Sequence, residues 1–422
     1  PNDSAIPAVQ PFARCQDPGR ILQVCTEIFQ NFLKEFPDAG AVGFTGQMHG
    51  VLYLNAAGDP VSPLYTWQDG RGNEAFGSVT YAQELSRRTG FAMATGYGLT
   101  TMFYNQQNGE EPSDAVQACT IHDFVAMRFC RLRRPVMHVS DAASFGLFDL
   151  KNNLFCAGAL EKAQLNGSLL PQTVQDCRFI GETPENIPVC VPIGDNQASV
   201  LGSLCENAVL VNVGTGSQVS AVCDEYVPED GIEYRPYIGG KYLMTGCALS
   251  GGYSYSLLKK FFEQTFAMFG GQLPENAYEY MNAAAQQAKL LPSQIICEPF
   301  FCGTREAPGR KASFSQIDSE NFTPQQLTLS VLNGICGELL QYYRTFCKLL
   351  SCRPQKLVGS GNGIRKNALL AKIFSEQFGM PLYIPRYEEE AAFGSAFSAF
   401  IALKNVSVAE IQKLIQYREV VS

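Results

Sequence analysis

None of the fifteen cysteines forms a CxxC pair, and the nearest neighbours, Cys297/Cys302 and Cys347/Cys352, sit among apolar residues. That pattern excludes a zinc ribbon and fits buried, reduced thiols in a cytoplasmic protein. No apolar run reaches the length of a membrane span, and no signal peptide opens the sequence, so no membrane partner is expected. There is no basic stripe beyond Arg131-Leu132-Arg133-Arg134, and the net charge is −8, which argues against a nucleic-acid partner. Those arginines follow a predicted helix, Asp123 to Cys130, whose C-terminal dipole favours cations. Neither a Walker A loop nor a correctly spaced GxGxxG is present. Tryptophan occurs once, as Trp67. What remains is ordinary globular composition, 46% hydrophobic and 17% charged, over 422 residues, enough for two domains.

The most informative stretch runs from Val191 to Ser220. It opens on a carboxylate in a Gly194-Asp195-Asn196 turn and continues through a small-residue helix start. The β-branched run Ala208 to Val213 follows, read as a strand buried on both faces. That strand ends in Gly214-Thr215-Gly216-Ser217, where glycines let backbone N–H groups approach a phosphate and the hydroxyls add donors. A carboxylate turn beside a phosphate cradle suits phosphoryl transfer to an alcohol. A hairpin with an Asp-capped helix is the plainer reading of the same residues. Further on, Lys356 to Val358 reads as a strand, then Gly359-Ser360-Gly361-Asn362-Gly363 as a turn, then a helix beginning near Arg365. This is the order of a nucleotide-binding edge in an α/β sheet. Leu327, Val331, Ile335, Leu339, Tyr343 and Phe346 stripe one long helix that starts at Thr323-Pro324.

In the first half, Ile21 to Phe36 carries apolar residues at helical spacing, and Pro37 stops the helix. A strand from Ala41 to Thr45 leads to Gly46-Gln47-Met48-His49-Gly50. Gln47 and His49 each offer a donor and an acceptor to a sugar hydroxyl, and His49 is equally readable as a turn histidine satisfied locally. Trp67, Asp69 and Arg71 make a polyol-binding set, or else a surface ion pair over a packed indole. Glu74 to Arg88 reads as one helix, Thr120 to Asp123 as a helix cap, and Ser140 to Ser144 as a turn. The Pro-rich lead-in to Val191 divides the chain into 1–190 and 191–422.

As an ordered set, these segments resemble the FGGY carbohydrate kinases over nearly the whole chain, from Gln16-Asp17-Pro18 to Glu390-Ala391-Ala392-Phe393-Gly394-Ser395-Ala396. The resemblance implies an α/β, two-domain actin-like (ribonuclease H-like) ATPase fold with ATP and sugar in an interdomain cleft. The first domain, 1–190, would bind the sugar and the second, 191–422, the nucleotide. By the same resemblance Asp195 is the catalytic base, Gly214, Thr215 and Gly216 hold ATP phosphate, and Gly361, Asn362 and Asn367 form the adenosine site. Gln47, His49, Asp69 and Arg71 would contact the sugar. ATP and Mg²⁺ are the implied cofactors, with no residue assigned to the metal. The implied reaction is phosphorylation of the terminal primary hydroxyl of a ketose by a cytoplasmic monomer or homodimer. Gly46 to Gly50, Thr66 to Arg71 and Thr120 to Asp123 look most like the sedoheptulose-phosphorylating members, with the xylulose kinases next. The family's opening hairpin with Asp-x-Gly-Thr is not matched, which implies a first domain without its opening strands. A sugar- or nucleotide-binding protein without catalysis is the alternative.

Overall fold

The computed structural model describes residues 3–288, 294–304, 307 and 309–420. The chain forms two compact units. One combines Pro1–Gly202, Arg235–Tyr242 and Glu389–Gln412; the other combines Ser203–Tyr234, Leu243–Glu388 and Lys413–Ser422. Among the described residues no helix is long and apolar enough to cross a membrane. All fifteen cysteines are free thiols.

In the first unit the first helix is Pro18–Glu35, starting three residues before the helical spacing read from Ile21. The Asp17 carboxylate accepts from the N–H groups of Gly19 and Arg20, and proline occupies the first turn. Ile21, Leu22, Cys25 and Phe29 pack on the core. Ile28, Phe32 and Phe36 stay exposed, with Phe32 and Phe36 stacked at 6.2 Å. The core holds Tyr53, Phe103, Phe124 and Phe145 with almost no exposed surface, each contributing roughly 1.5–3 kcal/mol by burial. Short strands frame it. Leu52–Leu54 pairs antiparallel with Gln117–Cys119, and Thr45–Gly46 pairs parallel with Ile193–Gly194.

Two local expectations are corrected. The segment read as one helix from Glu74 to Arg88 follows a 3₁₀ turn, Gly70–Asn73, and begins with a small hairpin of Ala75–Phe76 with Val79–Thr80, the helix being Tyr81–Thr89. The Thr80/Gln83 capping box sets that later start, and Gly90, at φ 78°, ends it. Ser140 to Ser144 is not a turn but lies in helix Val139–Phe145, whose first turn is capped by the His138 ring accepting from the Ser140 N–H.

The second unit is organised on a seven-stranded sheet. Its order is Glu233–Pro236, Tyr242–Ala248, Ser217–Cys223, Ala208–Val213, Lys356–Ser360, Leu382–Pro385 and Tyr417–Val420. Ala208–Val213 lies centrally, antiparallel to Ser217–Cys223 and parallel to Lys356–Ser360. Val209, Val211 and Val213 are fully buried, as the β-branched run predicts. Helix Pro324–Leu349, capped by Thr323, lays Leu329, Leu332, Ile335, Leu339, Tyr343 and Phe346 into this core.

Candidate active site

In the first unit, two parallel strands end side by side, Thr45 opposite Ile193 and Gly46 opposite Gly194. Gln47 leaves one strand end and Asp195 leaves the other, at the carboxyl edge where α/β folds place ligands. Asp195 starts helix Asp195–Ser203, where a carboxylate complements the positive helix end. Its side chain is open to solvent, yet protein crowds the volume around it. That crowding raises its pKa above the usual Asp value, opposed by the nearby charge of His122 and the Asn196 N–H. A wettable carboxyl group with a raised pKa is suited to accepting a proton.

The other residues of the sugar-type segments are divided in role. The Gln47 side chain donates to Gln16 Oε1 at 2.8 Å. His49 has φ 73°, which a non-glycine residue rarely adopts. Its N–H donates to Ser144 Oγ, Nδ1 lies 2.8 Å from the Ser144 carbonyl, and its ring stacks flat on Tyr97 at 4.7 Å. With Nδ1–H donating to that carbonyl, the neutral ring keeps its lone pair on Nε2. Asp69 and Arg71 turn inward. They pair at 2.6 Å with side chains 0% and 4% exposed, while Trp67 is 53% exposed. Asp69 also accepts from the Arg14 N–H, and Arg71 donates to Asn105 and stacks on Tyr65 at 4.1 Å. Strand Cys15–Gln16 connects the two segments, since Gln16 binds Gln47 while Cys15 touches Asp69. Sequence reasoning missed Gln16 because nothing local marks its partner.

Behind the paired strand ends lies a buried group: His122, Asp123 and Asp141. His122 Nε2 is 3.0 Å from Asp141 Oδ1, an ion pair aligned too poorly to count as a hydrogen bond. Thr120 caps the helix and Asp123 completes its capping box, so the expected cap is present but wholly buried. Burial alone would lower the His122 pKa; Asp141, then Asp123 and Asp195, hold it up at about 9. Burial raises Asp123, against the pull of His122. With His122 facing Asp141 as an ion pair, a divalent ion would have to displace the imidazole proton to be held here. Mg²⁺ arriving on ATP phosphates would come as part of the substrate with its own waters.

In the second unit the two glycine-rich turns line one pocket of about 880 Å³, together with Gly252, Tyr255, Asn282 and Lys366. Gly214, Thr215, Gly361, Asn362 and Asn367 all face it. Gly216 closes the turn by accepting the Gly214 N–H at 2.9 Å. Gly361 has φ 79° and ψ 156°, and a methyl group there would lie 2.6 Å from the Val213 carbonyl oxygen. The N-terminus of helix Gly251–Met268 abuts the first turn so closely that a methyl group at Gly252 would lie 2.4 Å from the Gly214 carbonyl oxygen. A helix N-terminus beside such a turn favours phosphate. The Ser250-Gly251-Gly252 triplet was the available sequence signal for it. Deeper in, Asn282 accepts from Tyr255 and Asn367, giving the pocket a polar wall.

Two family models match the chain. The N-terminal domain of the FGGY family of carbohydrate kinases matches residues 5–202, and its C-terminal domain matches 209–403. Sedoheptulokinase of Mus musculus is 28% identical over 419 residues, covering 92% of this chain and 86% of the relative. The Homo sapiens sedoheptulokinase is 27% identical over the same shares. Among solved structures, the xylulose kinase of Rhodospirillum rubrum gives a TM-score of 0.82 at 18% identity, covering 99% of this chain and 88% of that one. Plasmodium falciparum glycerol kinase with ADP gives 0.80 at 18% identity, covering 97% and 85%. At these identities the likeness to the solved structures is one of fold.

Proposed function

The chain belongs to the FGGY family of carbohydrate kinases, and from that premise we propose that it transfers the γ-phosphoryl group of Mg·ATP to the terminal primary hydroxyl of a ketose, sedoheptulose first. The observation that carries this reading is Asp195, an open carboxyl group with a raised pKa at the strand end beside Gln47. Asp195 accepts the hydroxyl proton as the oxygen attacks phosphorus in line. A carboxylate is a weak base for an alcohol, so the proton moves late and positioning supplies most of the acceleration. Gln47 and His49 orient the ketose. The Gly214-Thr215-Gly216 turn offers fixed dipoles to the phosphates, and Asn367 and Asn282 read the nucleoside. The choice of sedoheptulose is supported by the two relatives bearing that activity in their names.

ADP release measured over sedoheptulose, xylulose, ribulose, glycerol and gluconate tests the proposal. The highest kcat/KM should fall on sedoheptulose. Asp195→Asn should lower turnover at least about 100-fold while leaving ATP affinity nearly unchanged. A preference for xylulose would move the substrate assignment. Full turnover in Asp195→Asn, or no ADP release with any sugar, would overturn the mechanism.

A further inference from the structure

We infer that His122 is a positioning residue for this reaction, a buried side chain that braces from beneath the two strand ends carrying Gln47 and Asp195. The inference rests on the role given to Asp195 above. Contact with the first strand end is direct: a methyl group at Gly46 would lie 2.7 Å from His122 Nδ1. Contact with the second runs through a short relay. His122 faces Asp141 at 3.0 Å, Asp141 Oδ2 lies 3.3 Å from Ser140 Oγ, and Ser140 Oγ accepts the Gly194 N–H at 3.1 Å. Gly194 is the residue before Asp195, so the relay fixes the turn from which the carboxylate projects. The Ser140 hydroxyl is also 2.8 Å from His138 Nδ1, whose ring faces the Gln175 carbonyl through Nε2. Every side chain in this relay is at least nine-tenths buried. Water cannot replace a lost member without a rearrangement.

The charged and titratable groups facing His122 are few. Asp123 comes from its own helix, Asp141 from Val139–Phe145 and Asp195 from Asp195–Ser203. Strand Val136–His138 brings His138, which burial keeps neutral, and strand Pro188–Cys190 brings Cys190, whose thiol burial holds un-ionised. Along helix Pro18–Glu35, a groove of about 410 Å³ reaches His122 with the paired Asp3 and Arg20 also lining it. Three carboxyl groups thus share the buried His122 cation, and Asp195 has Arg235 near it as well. Removing His122 would leave Asp141 uncompensated, loosen the hold on Gly194 and withdraw a positive charge from Asp195.

The test compares His122→Gln, His122→Lys and Ser140→Ala with the parent chain and Asp195→Asn. His122→Gln should lower kcat about 10- to 100-fold with KM for ATP within about 2-fold. Its kcat–pH profile should rise at higher pH, because Asp195, left with Arg235 as its remaining nearby cation, has a higher pKa and ionises later. His122→Lys keeps the charge and should restore most of the rate. Ser140→Ala breaks the relay while keeping the charge, so it should lower kcat without moving the acid limb. Carbon NMR titration of the Asp195 carboxyl group and amide exchange at Gly194 report the same effects without turnover. Unchanged Asp195 titration and Gly194 exchange in His122→Gln would overturn the inference, as would unchanged kcat when Asp195→Asn is inactive. Full activity in Asp195→Asn would instead remove the assigned base, and the two NMR readouts would still decide for or against the brace. Should His122→Gln fail to fold, Ser140→Ala decides through kcat and Gly194 amide exchange, both of which should change, and unchanged values would overturn the inference.

Discussion

Replacing Gly361 by alanine tests the nucleotide pocket where its backbone is most constrained. At φ 79° and ψ 156° the residue occupies a region open essentially only to glycine, and a side chain there costs about 1–3 kcal/mol in strain. Space adds to that cost. The new methyl group would sit 2.6 Å from the oxygen, 2.8 Å from the carbon and 3.0 Å from the nitrogen of Val213. Val213 ends the central strand Ala208–Val213 and is fully buried, so the obstacle is backbone that cannot rotate aside. A total of about 2–4 kcal/mol follows, roughly 4–16 °C in melting temperature at about 2–4 °C per kcal/mol. Because Gly361 and Asn362 line the pocket with Gly214 and Thr215, a turn forced away from Val213 should also weaken ATP binding about 10-fold or more. Gly379→Asn is the control. It too has a positive φ, 66°, but in the left-handed region asparagine tolerates and with nothing within 4 Å. It should leave ATP binding untouched. Calorimetric titration with ATP and thermal melts read both effects. A Gly361→Ala protein that melts and binds ATP like the parent would refute the reasoning.

Three further outcomes are expected. Glu338 is buried, and burial raises its pKa to about 7 against the pull of Arg310. Its stabilising share is full below the unfolded value of 4.5 and is lost as pH rises through about 7, at most about 3 kcal/mol. Glu338→Gln should therefore melt above the parent at pH 8 but not at pH 5; equal melts at both would contradict this. Arg71→Met strands the buried Asp69 carboxylate and should cost about 3–5 kcal/mol in denaturant unfolding. A normal unfolding midpoint with only ketose affinity lost would assign the pair to the sugar instead. His49→Asn tolerates the left-handed backbone better than His49→Ala, so both should raise KM for the ketose while only the alanine variant melts early. Unchanged KM in His49→Asn would remove His49 from the site.

What could be read from sequence was local. Gly214-Thr215 and Gly361 to Gly363 each follow a strand closely, and both stretches line the pocket. Thr323-Pro324 announces its helix because a cap and its partner N–H groups lie within three residues. The misreadings share a cause. Glu74 and Ser140 sit in segments whose apolar spacing suits several structures, and the Thr80/Gln83 box and the His138 cap decide between them. Asp69 and Arg71 are polar residues in a turn, which ordinarily face water. They turn inward because the Arg14 N–H and the Asn105 amide oxygen, distant in sequence, and the nearby Tyr65 ring enclose the pair. The His122 group was invisible for the same reason. His122 and Asp123 share one helix, where Thr120 to Asp123 reads as a cap, while Asp141 comes from another.

The helix that begins at Asp195 presses against helix Glu390–Lys404 so tightly that a methyl group at Gly394 would lie 1.8 Å from the Ala198 carbonyl oxygen. A ribosome that has delivered residues 1–202 has therefore not yet made the wall on which this helix rests. Nascent chains should carry a loose Asp195 segment until residue 412 has emerged, and fragments ending near 202 should be prey for proteases and chaperones. The chain switches unit after residues 202, 234, 242, 388 and 412, so neither half can be harvested by a single cut. Any scheme that splits this protein for a reporter or sensor must supply the 389–412 piece to the first fragment.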